Sequence, residues 1–212
     1  MKMLKLNQKI TSLVLSLAPL FSSAAMIPLA VATIPLVVSQ PAHAFAIYGD
    51  IFDKWAIIGG DRSVVGTPTS DELPAARGGR YNSFQNGFIY WHPNFGAHTI
   101  YGNIGAKWVQ AGRENGFGYP STDELPAANG GRYNQFEGGR SYIYWHPKIG
   151  TFAVYGDIAQ LWNSKGRERS RLGYPISDEQ PAGTAGQRMQ HFQGGSIYWN
   201  SGSRKMTTVY GG

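Results

Sequence analysis

The chain has 212 residues, no cysteine, 28 glycines and an aromatic fraction of 13%, and only 15% of its residues are charged against a norm of about 25%. The missing cysteines exclude disulfide and thiolate–zinc frameworks as well as a cysteine nucleophile. The formal net charge of +6 includes three lysines within residues 1–44, and the remainder carries 16 basic against 13 acidic residues, or +3. That bias is too weak to indicate a nucleic-acid-binding protein.

Residues 1–44 are typical of a signal peptide. A basic start at Met1–Lys5 is followed by an uncharged stretch from Ile10 to Gln40 and by Ala42-His43-Ala44, which fits the small-x-small cleavage rule. We expect cleavage after Ala44, although the uncharged stretch is also long enough to serve as a retained membrane anchor. Under either interpretation residues 45–212 lie outside the cytoplasm, secreted or in the cell envelope, with no membrane insertion after signal cleavage.

A repeat fills the remainder of the chain. Tyr-Gly pairs recur at residues 48–49, 101–102, 155–156 and 210–211, at steps of 53, 54 and 55 residues. Each interval carries a Gly-x-Pro turn, an Asp-Glu pair, an arginine and an Ile-Tyr-Trp run. A fixed period of this length indicates a repeat architecture. We therefore predict a single domain, residues 45–212, of three units at about 48–100, 101–154 and 155–212.

Each unit opens with a short predicted helix, at Asp50–Ile58, Asn103–Val109 and Asp157–Trp162. The predicted N-caps are Asp50, Asn103 and Asp157. The glycines that suit the helix ends are Gly59, Gly112 and Gly166. Helices of two to three turns need tertiary packing to be stable. We therefore expect the tryptophans of their apolar face to lie in the core, and these are Trp55, Trp108 and Trp162.

The second half of each unit predicts a β-hairpin and a closing strand. In the first unit, Arg80–Phe84 and Phe88–Trp91 alternate in polarity around Asn86-Gly87, a strong hairpin signal. A third extended stretch, Ala97–Tyr101, ends the unit. The predicted fold class is thus an α+β repeat protein of three helix-plus-β-hairpin units. Because the chain both begins and ends with a closing-strand sequence, we expect a propeller-like or ring-like pseudo-symmetric arrangement.

The repeated motif resembles the LGFP repeat family of exported, mostly actinobacterial cell-envelope proteins. That family pattern runs Leu-Gly-x-Pro, an acidic pair, Gly-Gly, a Phe followed by Gly-Gly, and Ile-Tyr-Trp. Its naming motif stands here as Val65-Gly-Thr-Pro68, Phe117-Gly-Tyr-Pro120 and Leu172-Gly-Tyr-Pro175. Only the third copy keeps the leucine, and none keeps phenylalanine in the third position. The resemblance covers residues 46–212.

The resemblance implies a non-catalytic module that holds envelope proteins at cell-wall polysaccharide or peptidoglycan, without a cofactor. On that basis we expect a non-enzymatic, monomeric glycan-binding protein. Two alternatives stay open, a glycosidase-type cell-wall hydrolase that uses one degenerate unit, and a protein-interaction repeat. The third unit does diverge, with Met189-Gln190-His191 where the second has Tyr133-Asn134-Gln135, and unequal units are what the hydrolase alternative predicts.

The acidic pairs and the histidines do not indicate an active site. A glycosidase needs two carboxyl groups facing each other about 5 to 9.5 Å apart, whereas neighbours in sequence usually diverge. Aspartate as a turn or cap acceptor is the favoured interpretation. His92 and His146 share one repeat position, but Asn200 occupies it in the third unit and no zinc-ligand spacing occurs. We predict no metal site and no catalytic residue.

The candidate ligand contacts lie at equivalent positions of the three units. Adjacent strand residues point to opposite faces, so one member of each Tyr-Trp pair is expected in the core and the other on the outside. The arginines form either structural ion pairs with the repeated acids or donor forks for sugar hydroxyls, carboxylates or phosphates. The candidate binding residues are Tyr90, Trp91, Tyr144, Trp145, Tyr198, Trp199, Arg80, Arg132, Arg188, Asp71, Asp123 and Asp178.

Overall fold

The computed structural model describes residues 45–211, so the predicted signal peptide lies outside the described residues. Three consecutive units each consist of one α-helix followed by a four-stranded antiparallel sheet. The first unit comprises α1 (Gly49–Ile57), β1 (Leu73–Pro74), β2 (Arg80–Phe84), β3 (Gly87–His92) and β4 (Gly96–Tyr101). The second comprises α2 (Gly102–Gln110), β5 (Leu125–Pro126), β6 (Arg132–Phe136), β7 (Ser141–His146) and β8 (Gly150–Tyr155). The third comprises α3 (Gly156–Ser164), β9 (Gln180–Pro181), β10 (Gln187–Phe192), β11 (Gly195–Asn200) and β12 (Lys205–Tyr210).

The helix-plus-hairpin unit predicted from the sequence is confirmed, and the hairpin is one part of a larger sheet. In each sheet the strands follow chain order, and the first strand is a two-residue piece that the sequence did not reveal. No strand pairing joins one sheet to the next within residues 45–211. The described residues therefore form three open sheets in series and no closed sheet.

The helix starts differ from their prediction. Tyr48, Tyr101 and Tyr155 occupy the N-cap positions, and none makes a side-chain capping bond. The reason is the glycine that follows each tyrosine, whose left-handed backbone turns the chain directly from strand into helix, as at Gly102 with φ 58°. The predicted caps Asp50, Asn103 and Asp157 consequently lie inside the first turn. The predicted helix ends are confirmed, because each C-terminal glycine adopts a left-handed conformation.

Each of the first two sheets is covered on both faces. In the first sheet, Phe84 and Ile89 pack against Ile51 of the unit's own helix. The opposite face carries Tyr90, which packs with Ile104 and Trp108 of the following helix in a second cluster. A helix between two sheets is thus the repeating packing element. The third sheet has no following helix in the chain.

The helix tryptophans differ in burial from one unit to the next. Trp108 and Trp162 are fully buried, as predicted, and each donates its indole N–H to the carbonyl of the Gly-x-Pro glycine, Gly118 or Gly173. Trp55 makes the same bond to Gly66 O at 3.0 Å but is only partly buried. The core prediction is therefore wrong in degree for Trp55, because no sheet precedes α1 within residues 45–211 to cover it.

Candidate functional site

The three predicted aspartates fasten each unit to the segment that precedes its helix. Their Oδ1 atoms accept the backbone N–H of Ala46, Thr99 and Ala153 at 2.8, 2.9 and 3.0 Å. Buried amides of the same unit, from Asn82, Asn134 and Gln190, donate to the carbonyl oxygens of those same residues. Aspartate and amide therefore hold one residue of the preceding segment by both of its backbone polar groups. We name these contacts the junction clamps.

Asp123 carries the most heavily engaged carboxylate of the three. Its Oδ2 accepts from Lys54 Nζ at 2.8 Å, and its Oδ1 lies 3.6 Å from the Nδ1 of His98. Burial alone would raise the pKa of Asp123, but the contacts from His98 and Lys54 and the Thr99 amide outweigh it and hold that pKa well below its ordinary range. The carboxylate thus stays charged and occupied by structural partners.

The repeated arginines form the ion pairs that the sequence offered as one interpretation. Each pairs with the glutamate of the Asp-Glu pair and not with the aspartate. Nitrogen–oxygen distances are 3.0 Å for Arg80–Glu72, 3.9 Å for Arg132–Glu124 and 2.6 Å for Arg188–Glu179. The arginine side chains remain 36 to 54% exposed, so their outer N–H groups still face solvent.

The structure separates the members of the Tyr-Trp pairs. Tyr90 and Tyr144 are 1% exposed and lie edge-on to Trp108 and Trp162, so their rings are unavailable to a ligand in solution. Burial raises the pKa of both phenols well above their ordinary value. Tyr198 is only partly buried, because no following helix covers the third sheet. The partly exposed partners are Trp91, Trp145 and Trp199.

Each partly exposed tryptophan stands next to the arginine–glutamate pair of its own unit. Strand pairing places Arg80 opposite Trp91, Arg132 opposite Trp145 and Arg188 opposite Trp199. In the first unit the Arg80 guanidinium lies 4.8 Å from the Trp91 ring centre. We call these three sites the Trp–Arg–Glu patches; their members are Trp91, Arg80 and Glu72, then Trp145, Arg132 and Glu124, then Trp199, Arg188 and Glu179.

The first patch borders a small cleft. The cleft measures about 90 Å³, and Tyr48 and Asp50 complete its wall. Tyr48 is 58% exposed, whereas the corresponding Tyr101 and Tyr155 contact acids or arginines of the next unit. Burial first, and then the charge of Glu124, raise the pKa of Tyr101 to about 12. The first patch is therefore the most open of the three.

The histidines of the Trp-His-Pro motif have a structural role. His92 and His146 are buried, and their Nδ1 atoms accept the backbone N–H of Asn94 and Lys148, each at 3.2 Å. In the third unit the Asn200 side-chain oxygen takes that place, accepting the Ser203 N–H at 2.9 Å. The shared position therefore caps a turn. Across residues 45–211 no three His, Cys, Asp or Glu side chains are grouped to hold a metal ion.

Sequence reasoning missed the residues that one unit inserts into the sheet of the unit before it. Arg113 lies over Tyr81 and Phe88, and Arg167 lies over Tyr133 and Tyr142. The Tyr119 and Tyr174 hydroxyls donate to the carbonyls of Ala76 and Ala128. Within the described residues no unit precedes the first, and Gly60 and Thr67 stand at these two positions. Comparing aligned positions between inner and terminal units would have revealed them.

A large groove was also missed. It has a volume of about 850 Å³ and is bordered by all three units, from Arg77 of the first through Glu137, Arg140 and Tyr155 of the second to Asp178 of the third. The sequence signal that could have revealed the groove is a difference in length between the hairpin turns. The β6–β7 turn has four residues, 137–140, where the corresponding turns have two, 85–86 and 193–194.

Comparisons with known proteins identify the repeat. Three consecutive segments, residues 65–116, 117–170 and 172–212, match the LGFP repeat. No curated protein matches the chain. Among the helices within residues 45–211, none has the length and apolar character needed to cross a bilayer. Since the three matched segments cover well over half of the chain and coincide with the repeating fold, the protein belongs to the LGFP repeat family.

Proposed function

We propose that the protein is a non-catalytic cell-envelope module that binds cell-wall glycan through its three Trp–Arg–Glu patches. The single observation that carries this proposal is the recurrence, in every unit, of a partly exposed indole beside an ion pair with free donors and acceptors. An indole offers an apolar surface to the C–H face of a sugar ring. Guanidinium and carboxylate groups offer hydrogen bonds to its hydroxyls.

Repetition of the patches raises their combined affinity for a polymer. A half-buried indole with one ion pair contributes a weak contact when it acts alone. Three patches on one body engage successive segments of the same chain, and linked weak contacts gain about 10² to 10⁴ in overall affinity. A propeller-like, pseudo-symmetric arrangement of the units, which is also part of this proposal, would present the three patches in a regular series.

The acidic residues support a binding role more than a hydrolytic one. The aspartates are engaged in the junction clamps, and the glutamates are paired with arginines. Each carboxylate of the three repeated Asp-Glu pairs therefore has a structural partner of its own. Met189 of the third unit stands where the second has Tyr133, on a sheet that no further unit follows within residues 45–211. We accordingly propose export to the cell envelope, with wall polysaccharide or peptidoglycan as the partner.

The test is retention on insoluble cell-wall sacculi, before and after the wall-linked polysaccharide is stripped, with a sugar-release assay on the supernatant. Three substitutions keep apolar packing on the core side and remove the indole ring. They are Trp91→Leu, Trp145→Leu and Trp199→Leu. We expect each to weaken retention by about tenfold and the triple variant to abolish it. The control is Phe52→Leu, an exposed aromatic of α1 outside the patches.

Three results would overturn the proposal. Released sugar or peptide would establish a hydrolase. Retention of the triple variant equal to that of the unmodified protein would show that the patches do not bind the wall, and absence of any retention would point to a protein partner.

A further inference from the structure

Within residues 45–211, the middle unit is the one whose β-hairpin turn lines the large groove. The first and third hairpins close with two-residue turns, whereas the β6–β7 turn runs over four residues, 137–140. Glu137, Gly138 and Gly139 all have left-handed φ values, of 48°, 67° and 95°. This conformation carries the turn outward and places Glu137 and Arg140 on the groove wall. The groove is therefore an addition to the repeat and not a repeated feature.

Its size suits a small ligand. Binding pockets usually measure about 300 to 1,000 Å³, and this groove has about 850 Å³. Its walls come from the first unit through Arg77, from the second through α2, the long turn and Tyr155, and from the third through Asp178. Because neighbouring units are joined by the junction clamps, these walls are fixed relative to one another in the absence of a ligand.

Two of the three cations that line the groove are engaged in ion pairs. Arg77 pairs with Glu137 at 2.8 Å, and Lys107 pairs with Asp178 at 2.7 Å. Glu114 is buried in the wall, where its Oε1 accepts the Ala76 N–H at 3.2 Å. Arg140 is exposed, and among residues 45–211 its guanidinium has no acid within ion-pairing distance and no hydrogen-bond acceptor. Its backbone oxygen accepts from Gly156 N at 3.2 Å, which fixes its position at the groove.

An aromatic surface lies in the same groove. The rings of Phe117 and Tyr155 have their centres 5.5 Å apart at an angle of 44°, and both are only partly buried. The residues that correspond to Phe117 in the other units, Val65 and Leu172, are fully buried. The larger ring of Phe117 therefore extends this position into the groove. The groove thus combines an apolar wall, two ion pairs able to exchange hydrogen bonds with hydroxyls, and one free cation.

From this combination we infer that the groove binds a single anionic sugar, a ring bearing one carboxylate or one phosphate, as one residue of a glycan or its terminus. Arg140 pairs with the anionic group, and Phe117 and Tyr155 pack against the ring. Only one lining cation is free, so the groove pairs with one anionic group of a glycan at a time. This inference rests on the proposed function, and it adds to the three patches a site that distinguishes acidic from neutral glycan.

The test is calorimetric titration with trigalacturonic acid, its fully methyl-esterified form and glucose 1-phosphate. The acid and the ester share their rings and differ in charge. We expect the acid to bind about tenfold more tightly than the ester, because a charge-assisted hydrogen bond is roughly twice as strong as a neutral one. Arg140→Gln removes that difference and leaves binding of the ester unchanged. Phe117→Leu, which restores the residue of the third unit, weakens binding of both.

The matched control is Arg62→Gln, an exposed arginine of the first unit outside the groove, which leaves all affinities unchanged. Equal affinity for acid and ester without Arg140-dependent binding of glucose 1-phosphate would overturn the inference, as would Arg140→Gln binding both anionic ligands as tightly as the unmodified protein. Tight binding of glucose 1-phosphate that depends on Arg140 would support it and assign a sugar phosphate as the ligand. Wall retention by the same samples separates the two proposals. If the protein is retained on the wall but binds neither trigalacturonate nor glucose 1-phosphate, the groove inference is rejected and the proposed wall binding stands.

Discussion

Gly131 shows how single residues decide where one unit meets the next. Its backbone is ordinary for an L-residue, but a Cβ atom there would overlap the hydroxyl of Tyr174 from the third unit and lie 3.0 Å from Trp145 O. We expect Gly131→Ala to destabilise the protein by about 1 to 3 kcal/mol, the usual cost of overpacking. Chemical denaturation measures this, and Tyr174→Phe in the same chain should recover part of the loss.

The third unit supplies the control for that substitution. Gln187 occupies the position of Gly131 there, on a sheet that no further unit covers. Gln187→Ala should therefore change the free energy of unfolding by less than about 0.5 kcal/mol, as surface substitutions usually do. A loss at residue 187 as large as that at residue 131 would contradict the assignment of this position to the contact between units.

Particular residues also mark the limit of prediction from sequence. Apolar alternation around Asn86-Gly87 was sufficient to predict β2 and β3, because a hairpin is a local structure. The burial of Tyr90 rather than Trp91 depends on the helix of the next unit, and nothing local distinguishes the two rings. Arg113 was missed because its partners, Tyr81 and Phe88, lie in the preceding sheet. The groove depends on how three units meet, which a pattern within one unit does not contain.

The helices are stabilised by the sheets that pack against them. Replacing their tryptophans should therefore lower the free energy of unfolding by different amounts. Trp108 is fully buried between two sheets, whereas Trp55 has a sheet on one side only. We expect Trp108→Ala to cost about 3 to 5 kcal/mol and Trp55→Ala clearly less. Denaturant midpoints of the two variants test this. Equal losses would contradict the view that the neighbouring unit completes the core around α2.

The junction clamp at Asp123 predicts a dependence of stability on acid pH. A carboxyl group whose pKa is lower in the folded than in the unfolded state stabilises the fold above its unfolded pKa, about 3.9, and this contribution is lost as pH falls toward the folded pKa. The free energy of unfolding should therefore decline below about pH 4. Asp123→Asn should make this decline shallower.

The comparison that checks this is a pH series of urea denaturations. Asp50→Asn serves as the control, because Asp50 lies in the first turn of α1, outside the three junction clamps. If the free energy of unfolding of Asp123→Asn declines at acid pH as steeply as that of the unmodified protein, the clamp is not the cause of the pH dependence.

At the scale of the whole molecule, shared cores predict cooperative unfolding. Each inner helix contributes to the packing of two sheets, so a unit cannot lose its structure without exposing the core of its neighbour. We expect a single unfolding transition, coincident by far-ultraviolet and near-ultraviolet circular dichroism. Two separated transitions would show that the units fold independently despite the clamps.

The central claim is that the partly exposed tryptophans, and not the buried ones, contact cell-wall glycan. The chain has six tryptophans, so labelling with ¹⁵N-tryptophan gives six indole N–H resonances that titration with solubilised wall polysaccharide can follow individually. The account predicts shifts for Trp91, Trp145 and Trp199, with Trp108 and Trp162 unmoved. Unchanged spectra, or shifts confined to the helix tryptophans, would contradict it.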